Sequence, residues 1–347
     1  MAIFTTFQPT DITGVKATEV TTGMWSPNET GSLTGIVTSS VQVGVSGVYY
    51  YDMYNVGSDA EVQFSVAYGH RLGSGSPQLV DLATSVLPTQ VIYSQYRNIL
   101  LGSGSTFMFN ETASNDIYVI NVNRARMKQS IDAGNWQLSL SGSRGIRTFT
   151  DDSLLNNSVA GNILASNVYN IRSGSIGSVD ADATVYGMVF PDFGVIILHP
   201  AAISSSVGLL GPTKDAKTST AFPYAAYLGT DIGTSYQYQH EGLVRSISSS
   251  MAAGRPFIAR SVEQVTSQNY FVRIRNDQYN YTNNPSYYTT VDETREILSV
   301  FEEKPLTYIT TIGLYNPFNE LVAVAKLSRP IQKSEDREAL IRVRLDY

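Results

Sequence analysis

Apolar side chains recur at every second position over much of this chain, and the clearest run spans residues 307–330. Tyr308, Thr310, Ile312 and Leu314 share one face of an extended segment, and Thr311, Gly313 and Tyr315 share the other. Asn316-Pro317-Phe318-Asn319 supplies turn chemistry, because proline presets φ and asparagine tolerates left-handed backbone. Leu321, Ala323, Ala325 and Leu327 return on one side, with Val322 and Val324 on the opposite side. Both faces are largely apolar, which predicts a hairpin covered on both sides. Pro330 is expected to end it, since proline cannot donate to a strand ladder.

Alternation recurs along the rest of the chain. Val41, Val43 and Val45 share a face, and residues 48–54 and 62–68 read as strands joined by a turn at 56–59. A helix is predicted from Pro88, with Ser85 as a nearby cap and Gly102 as its stop. Its apolar face is read as Ile92, Tyr96, Ile99 and Leu100. Strands follow at Ile117, Val119 and Ile120, and at Trp136, Leu138 and Leu140. Residues 185–190 and 195–199 form a second hairpin signal around Pro191-Asp192-Phe193-Gly194. A short helix is expected within 200–210. Val272 and Ile274 alternate with Arg273 and Arg275. Ile341, Val343, Leu345 and Tyr347 alternate with Arg342, Arg344 and Asp346, a half-buried strand expected to join the sheet that holds the 307–330 hairpin.

Two stretches lack such a pattern. Residues 141–182 are rich in Ser, Asn, Gly and Asp and read as a polar insertion. Residues 213–251 are polar and Tyr-rich without clear periodicity. The fold class that follows is mainly β, with β-sandwich-like sheets, long loops and one or two short helices. Residues 1–35 read as an extended N-terminal arm, and residues 36–347 as a β-rich structural domain, single or split. A floppy tail and an arm that orders on a neighbouring subunit are the two readings of 1–35. Phe4, Phe7 and Trp25 favour the second, because disordered tails rarely keep bulky aromatics.

Composition narrows the function. Charged residues make up 16% of the chain, below the roughly 25% of an average soluble protein. Polarity comes instead from Ser, Thr, Asn and Gly. The 22 tyrosines fit either strand propensity or contact surfaces. A net charge of -6 and no Lys/Arg run argue against phosphate-backbone binding, so no nucleic-acid partner is expected. Arg124, Arg126 and Lys128 form the most basic segment and read as solvated surface. The absence of cysteine excludes disulfides, thiolate metal sites and a thiol nucleophile. No secretory signal or bilayer-length apolar run is present, so a soluble chain made in a cytosol without membrane insertion is expected.

Catalytic chemistry finds no pattern. His70, His199 and His240 lack metal-ligand spacing, the glycine pairs lack a P-loop lysine, and no G-x-S-x-G occurs. Asp151 with Asp152, or Asp180 with Asp182, could be imagined as glycosidase carboxylates. Hydration of a polar insertion explains them better. No enzyme activity, catalytic residue, cofactor or metal is expected.

At the chain's late hairpin a resemblance enters. Ile312-Gly313-Leu314-Tyr315, a polar turn, and Glu320-Leu321-Val322-Ala323-Val324-Ala325-Lys326 resemble a hairpin recurring in tail-fibre and baseplate proteins of tailed bacteriophages. Arg273-Ile274-Arg275-Asn276, residues 279–285, and Gly69-His70 with Gly73-Ser74-Gly75-Ser76 are similar to segments of contractile-tail virion proteins. The family's motifs carry no catalytic residue, so the resemblance implies a building block located in the virion tail or baseplate. Its partners would be other tail proteins and further copies of itself in a symmetric assembly. Trp25 in the arm and Tyr279, Tyr281, Tyr287 and Tyr288 in the late loop are the candidate assembly-interface residues. The alternative is a receptor- or carbohydrate-binding module on the same particle, with exposed Tyr and Asn meeting sugars.

Overall fold

The computed structural model describes residues 5–38, 49–73, 88–156, 167–180, 184–209, 239–291 and 294–346. The strand expected at Val41, Val43 and Val45, the start of the 48–54 strand, the Ser85 cap, Asp182 and most of 213–251 lie outside the described residues, as do Phe4, residues 74–76 and Tyr347. The chain divides into two compact units, one formed by Met1–Thr18 with Gln264–Tyr347 and the other by Glu19–Glu263.

In chain order the elements begin with β1 (Ile12–Gly23), β2 (Ser32–Leu33), β3 (Ile36–Thr38), β4 (Tyr50–Asn55) and β5 (Val62–His70). Helix α1 (Pro88–Leu100) follows, then β6 (Met108–Phe109), β7 (Thr112–Ala113), β8 (Asp116–Val122), the short α2 (Arg124–Met127) and β9 (Ser130–Ile131). Next come β10 (Leu138–Gly142), β11 (Gly145–Asp151), β12 (Tyr169–Ser175), β13 (Ser178–Val179), β14 (Gly187–Phe190) and β15 (Val195–Leu198). Helices α3 (Pro200–Val207) and α4 (Gln239–Ala252) precede β16 (Phe257–Ile258) and the long β17 (Arg260–Ile274). Last are β18 (Tyr288–Val291), β19 (Thr294–Ile297), α5 (Ser299–Glu303), β20 (Leu306–Tyr315), β21 (Leu321–Ser334) and β22 (Ala339–Asp346).

The protein is mainly β. The unit 19–263 is built on an antiparallel sheet in the order β10-β11-β12-β14-β15-β8-β5-β4-β3, with β13 beside β12. Its central strands β8 and β15 are apolar along almost their whole length because both faces are covered. Ile117 and Val119 of β8 enter one core layer with Ile92, Tyr93 and Leu100 of α1. Tyr118, Ile120 and Val122 enter the opposite layer with Leu243 and Ile247 of α4 and Ile203 of α3. Each fully buried apolar side chain of this kind contributes roughly 1.5–3 kcal/mol relative to exposure.

Several expectations change here. Trp25 is wholly buried in the core of this unit, its ring 4.8 Å from Phe257 and 6.0 Å from Phe64. Residues 12–23 form a strand, so the segment read as an arm carries sheet and core residues. The stretch 141–182 holds β11, β12 and β13, regular strands of the main sheet. Phe149 and Ile171 are the fully buried apolar residues of β11 and β12, with Tyr169 packed partly against the same core, and their polar neighbours hid the alternation. Five α-helices occur among the described residues, more than the one or two expected. Helix α1 begins at Pro88 as read, but Tyr93 takes the inward position and Ile99 is exposed.

The second unit packs two sheets face to face. β17 and β22 pair antiparallel, with Val272 opposite Ile341 and Tyr270 opposite Val343. β20 and β21 form a separate two-stranded ribbon. Ile274, Ile341 and Val343 from the sheet meet Ile312 and Leu314 from the ribbon in one apolar cluster, with Phe7, Ala323, Ala325 and Leu327 around it. This is the aligned-layer logic of a small sandwich. The last strand therefore pairs with β17 and faces the ribbon across the core instead of joining its sheet.

Candidate interaction surface

The ribbon owes its shape to two irregularities. Ile309 pairs with Ile331 but Thr311 pairs with Lys326, so residues 327–330 stand opposite Thr310 alone. Pro330 lies in this bulge, and β21 continues past it to Ser334. The bulge also moves the inward face of β20. Thr307 and Ile309 point inward before it, and Ile312 and Leu314 after it. Tyr308 thus lies on the outside, 59% exposed, although strict alternation would place it with Ile312. A second shift leaves Val322 without a partner in β20, and both Leu321 and Val322 are exposed.

The expectation that both faces are covered is corrected accordingly. One face packs on the β17–β22 sheet. The other presents Tyr315, Leu321, Val322 at 65% exposure and Val324 at 57%. Tyr315 and Leu321 fold over the backbone of Gly313, where a Cβ would stand 2.9 Å from the Tyr315 ring and 3.1 Å from Leu321. Any side chain at 313 would displace them from that surface.

The tip is held rigidly. The Asn316 side-chain oxygen accepts the backbone N–H of Phe318 at 3.0 Å and of Glu320 at 2.9 Å. Asn319 adopts φ 63°, the left-handed conformation asparagine tolerates. Phe318 is fixed at the apex and 83% exposed. A large aromatic held this way carries little ordering cost when a partner covers it.

The base of the ribbon is pinned by a buried lysine that sequence reasoning did not single out. Lys333 is fully buried, and its ammonium donates to the carbonyls of Asn276 at 2.9 Å and Ser334 at 2.8 Å and to the Asn280 side-chain oxygen at 2.7 Å. All three donors are used. Desolvation lowers the Lys333 pKa from its ordinary value, opposed by the charges of Asp277, Glu335 and Glu338. The alternation Ile331-Gln332-Lys333 on an inward face was the available signal. In the same unit, Asp11 accepts from Arg273 Nε at 2.7 Å and from the Gln8 backbone N–H at 2.9 Å. Its carboxyl pKa is lowered chiefly by that backbone hydrogen bond, with Arg273 adding to it against desolvation.

The late-loop tyrosines divide. Tyr279 is partly exposed at φ 58°, shares a hydroxyl hydrogen bond with Thr5, and its carbonyl accepts from Thr307. Tyr281 is 66% exposed, with its ring edge-on to Tyr287. Tyr287 is buried, stacks on Phe301 at 4.4 Å and donates to the Asn280 carbonyl, and desolvation raises its pKa. Tyr288 is half-buried under the Arg295 guanidinium, 4.6 Å from the ring centroid. Tyr281, Tyr287 and Tyr288 thus form one aromatic cluster, in which Tyr287 is a core group and Tyr281 offers a surface. Trp25 belongs to the interior of the other unit.

The acidic pair at Asp151 and Asp152 is engaged in structure. Asp151 accepts from the Gly134 and Ser153 backbone N–H groups and from the Trp136 indole. Asp152 accepts from Asn156, the backbone and side chain of Asn170, and Arg172. Both carboxylates lock β11 to its neighbours. No group of three His, Asp or Glu residues arranged to hold a metal occurs among the described residues. Nor, among them, is any helix long and apolar enough to cross a membrane. No protein-family model matches the chain, and neither a curated protein nor a solved structure matches it.

Proposed function

We propose that this chain is a structural building block of a larger particle, acting through protein–protein contacts. The resemblance of its late hairpin makes the tail or baseplate of a contractile-tail bacteriophage virion the particle in question. The observation that carries the reading is the outward face of the β20–β21 ribbon. Phe318, Leu321, Val322 and Val324 stand exposed together on a rigid scaffold. An apolar patch held in place this way marks a surface that another protein covers. Low overall charge fits a molecule much of whose surface is buried on assembly.

The test is incorporation. Val322→Glu and Val324→Glu place charges where the isolated chain exposes the side chain, so their unfolding midpoints should match the parent. Particles purified from cells making either variant are expected to lack the chain. Incorporation at the parent level would overturn the reading.

A further inference from the structure

The buried lysine at the base of the ribbon touches a side-chain amide that it can react with. Lys333 is fully buried, and Asn280 is 7% exposed. Lys333 Nζ lies 2.7 Å from Asn280 Oδ1, which places it within about 4 Å of the carbonyl carbon behind that oxygen. The Asn280 amide nitrogen donates to the Asn276 carbonyl at 2.8 Å, and the same carbonyl accepts from Lys333 Nζ at 2.9 Å. One backbone oxygen therefore holds an amine and an amide leaving group side by side. We infer that Lys333 and Asn280 are a site of intramolecular isopeptide formation, in which the lysine nitrogen displaces the asparagine amide nitrogen. The inference is independent of the assembly role, since both residues belong to the unit formed by Met1–Thr18 and Gln264–Tyr347.

The step balances without an oxidant or a co-reactant. The unprotonated Lys333 amine attacks the Asn280 side-chain carbonyl carbon, and a new N–C bond forms. The tetrahedral centre collapses by breaking the bond to the amide nitrogen. One amine proton passes to that nitrogen, which leaves as ammonia. Fixing the two groups in contact replaces a bimolecular encounter, the largest contribution a folded chain makes to such a reaction. Burial removes the water that would otherwise solvate the amine, and desolvation holds the Lys333 pKa below its ordinary value. Asp277, Glu335 and Glu338 oppose that shift through their charges, and all three are exposed. The Tyr287 hydroxyl is committed to the Asn280 backbone carbonyl, and burial keeps it protonated. Among the described residues no carboxylate is bonded to the lysine or to the asparagine amide. Nothing therefore relays the proton quickly. The reaction is slow and follows the free-amine fraction, rising about tenfold per pH unit below the lysine pKa. Freshly folded chain holds the hydrogen-bonded pair, and aged chain holds the covalent link between the late loop and β21.

The test is a time course on the full-length folded chain at about pH 7 and about pH 9, read by intact mass and by tryptic peptides. A species lighter by one ammonia should accumulate over days, faster at the higher pH. Its digest should contain residues 276–295 joined to residues 327–337, with the bond after Lys333 spared because trypsin needs a free lysine side chain. Asn280→Ala and Lys333→Arg should keep their full mass and give no joined peptide. The parent held in denaturant, where the pair is apart, should also stay at full mass. A folded parent that keeps its full mass at the higher pH overturns the inference. So does ammonia loss confined to one peptide, as asparagine cyclisation gives, or a joined peptide that forms as fast in denaturant.

Discussion

Lys333 shows how much of this molecule's order rests on single polar groups placed in apolar surroundings. Its ammonium ties Asn276 and Asn280 of the late loop to the base of β21. Lys333→Met keeps the stem's volume but leaves the buried Asn280 side-chain oxygen without its donor. A loss of about 1–3 kcal/mol is expected in denaturant unfolding, with the loop 276–287 loosened in hydrogen exchange. An unchanged midpoint would show that water replaces the ammonium there. Asn316 plays the matching part at the ribbon's tip, accepting two backbone N–H groups. The Asn-Pro-Phe-Asn turn was readable in the sequence because its residue types are those the backbone requires. Lys333 was not singled out, because its place two residues after Ile331 is only a weak inward signal and the acceptors that hold a buried lysine come from the distant loop at Asn276 and Asn280.

Among the elements, close backbone approach decides what the main sheet tolerates. A Cβ at Gly187 would stand 2.1 Å from the Ile197 carbonyl oxygen, so β14 and β15 meet there without room for a side chain. Gly187→Ala should cost about 1–3 kcal/mol or more, whereas Gly14→Ala, with nothing within 4 Å, should leave the midpoint within about 0.5 kcal/mol. Equal midpoints for the two variants would contradict the packing described. The β14–β15 hairpin itself was legible, since apolar runs flank Pro191-Asp192-Phe193-Gly194 and Gly194 takes φ 69°. So was β22, whose inward Ile341 and Val343 alternate with exposed Arg342 and Arg344. Helix α4 was not, because buried Ser246 and Ser250 interrupt the apolar stripe of Leu243, Ile247 and Met251. β11 and β12 were missed for a similar reason, their inward sides being Thr, Asp and Ser as often as Phe or Ile. In the ribbon the period was right and the faces were wrong, because the bulge opposite Thr310 reverses the alternation of β20 partway along.

At the scale of the whole molecule, the candidate surface and the stable core belong to different parts of the chain. The unit 19–263 encloses a large two-layer core around β8 and β15, and residues read as an outreaching arm are part of it. The smaller unit buries a modest cluster and leaves one face of its ribbon uncovered. Such a face on an otherwise regular scaffold is the feature an assembly would use, and no catalytic constellation is needed to explain it. The most direct measurement is hydrogen–deuterium exchange over residues 306–334, compared between the isolated chain and the assembled particle. Protection should rise on assembly at the tip and along the outer edge of β21, while β8 and β15 exchange alike in both states. Equal exchange of the ribbon in the two states would contradict the account.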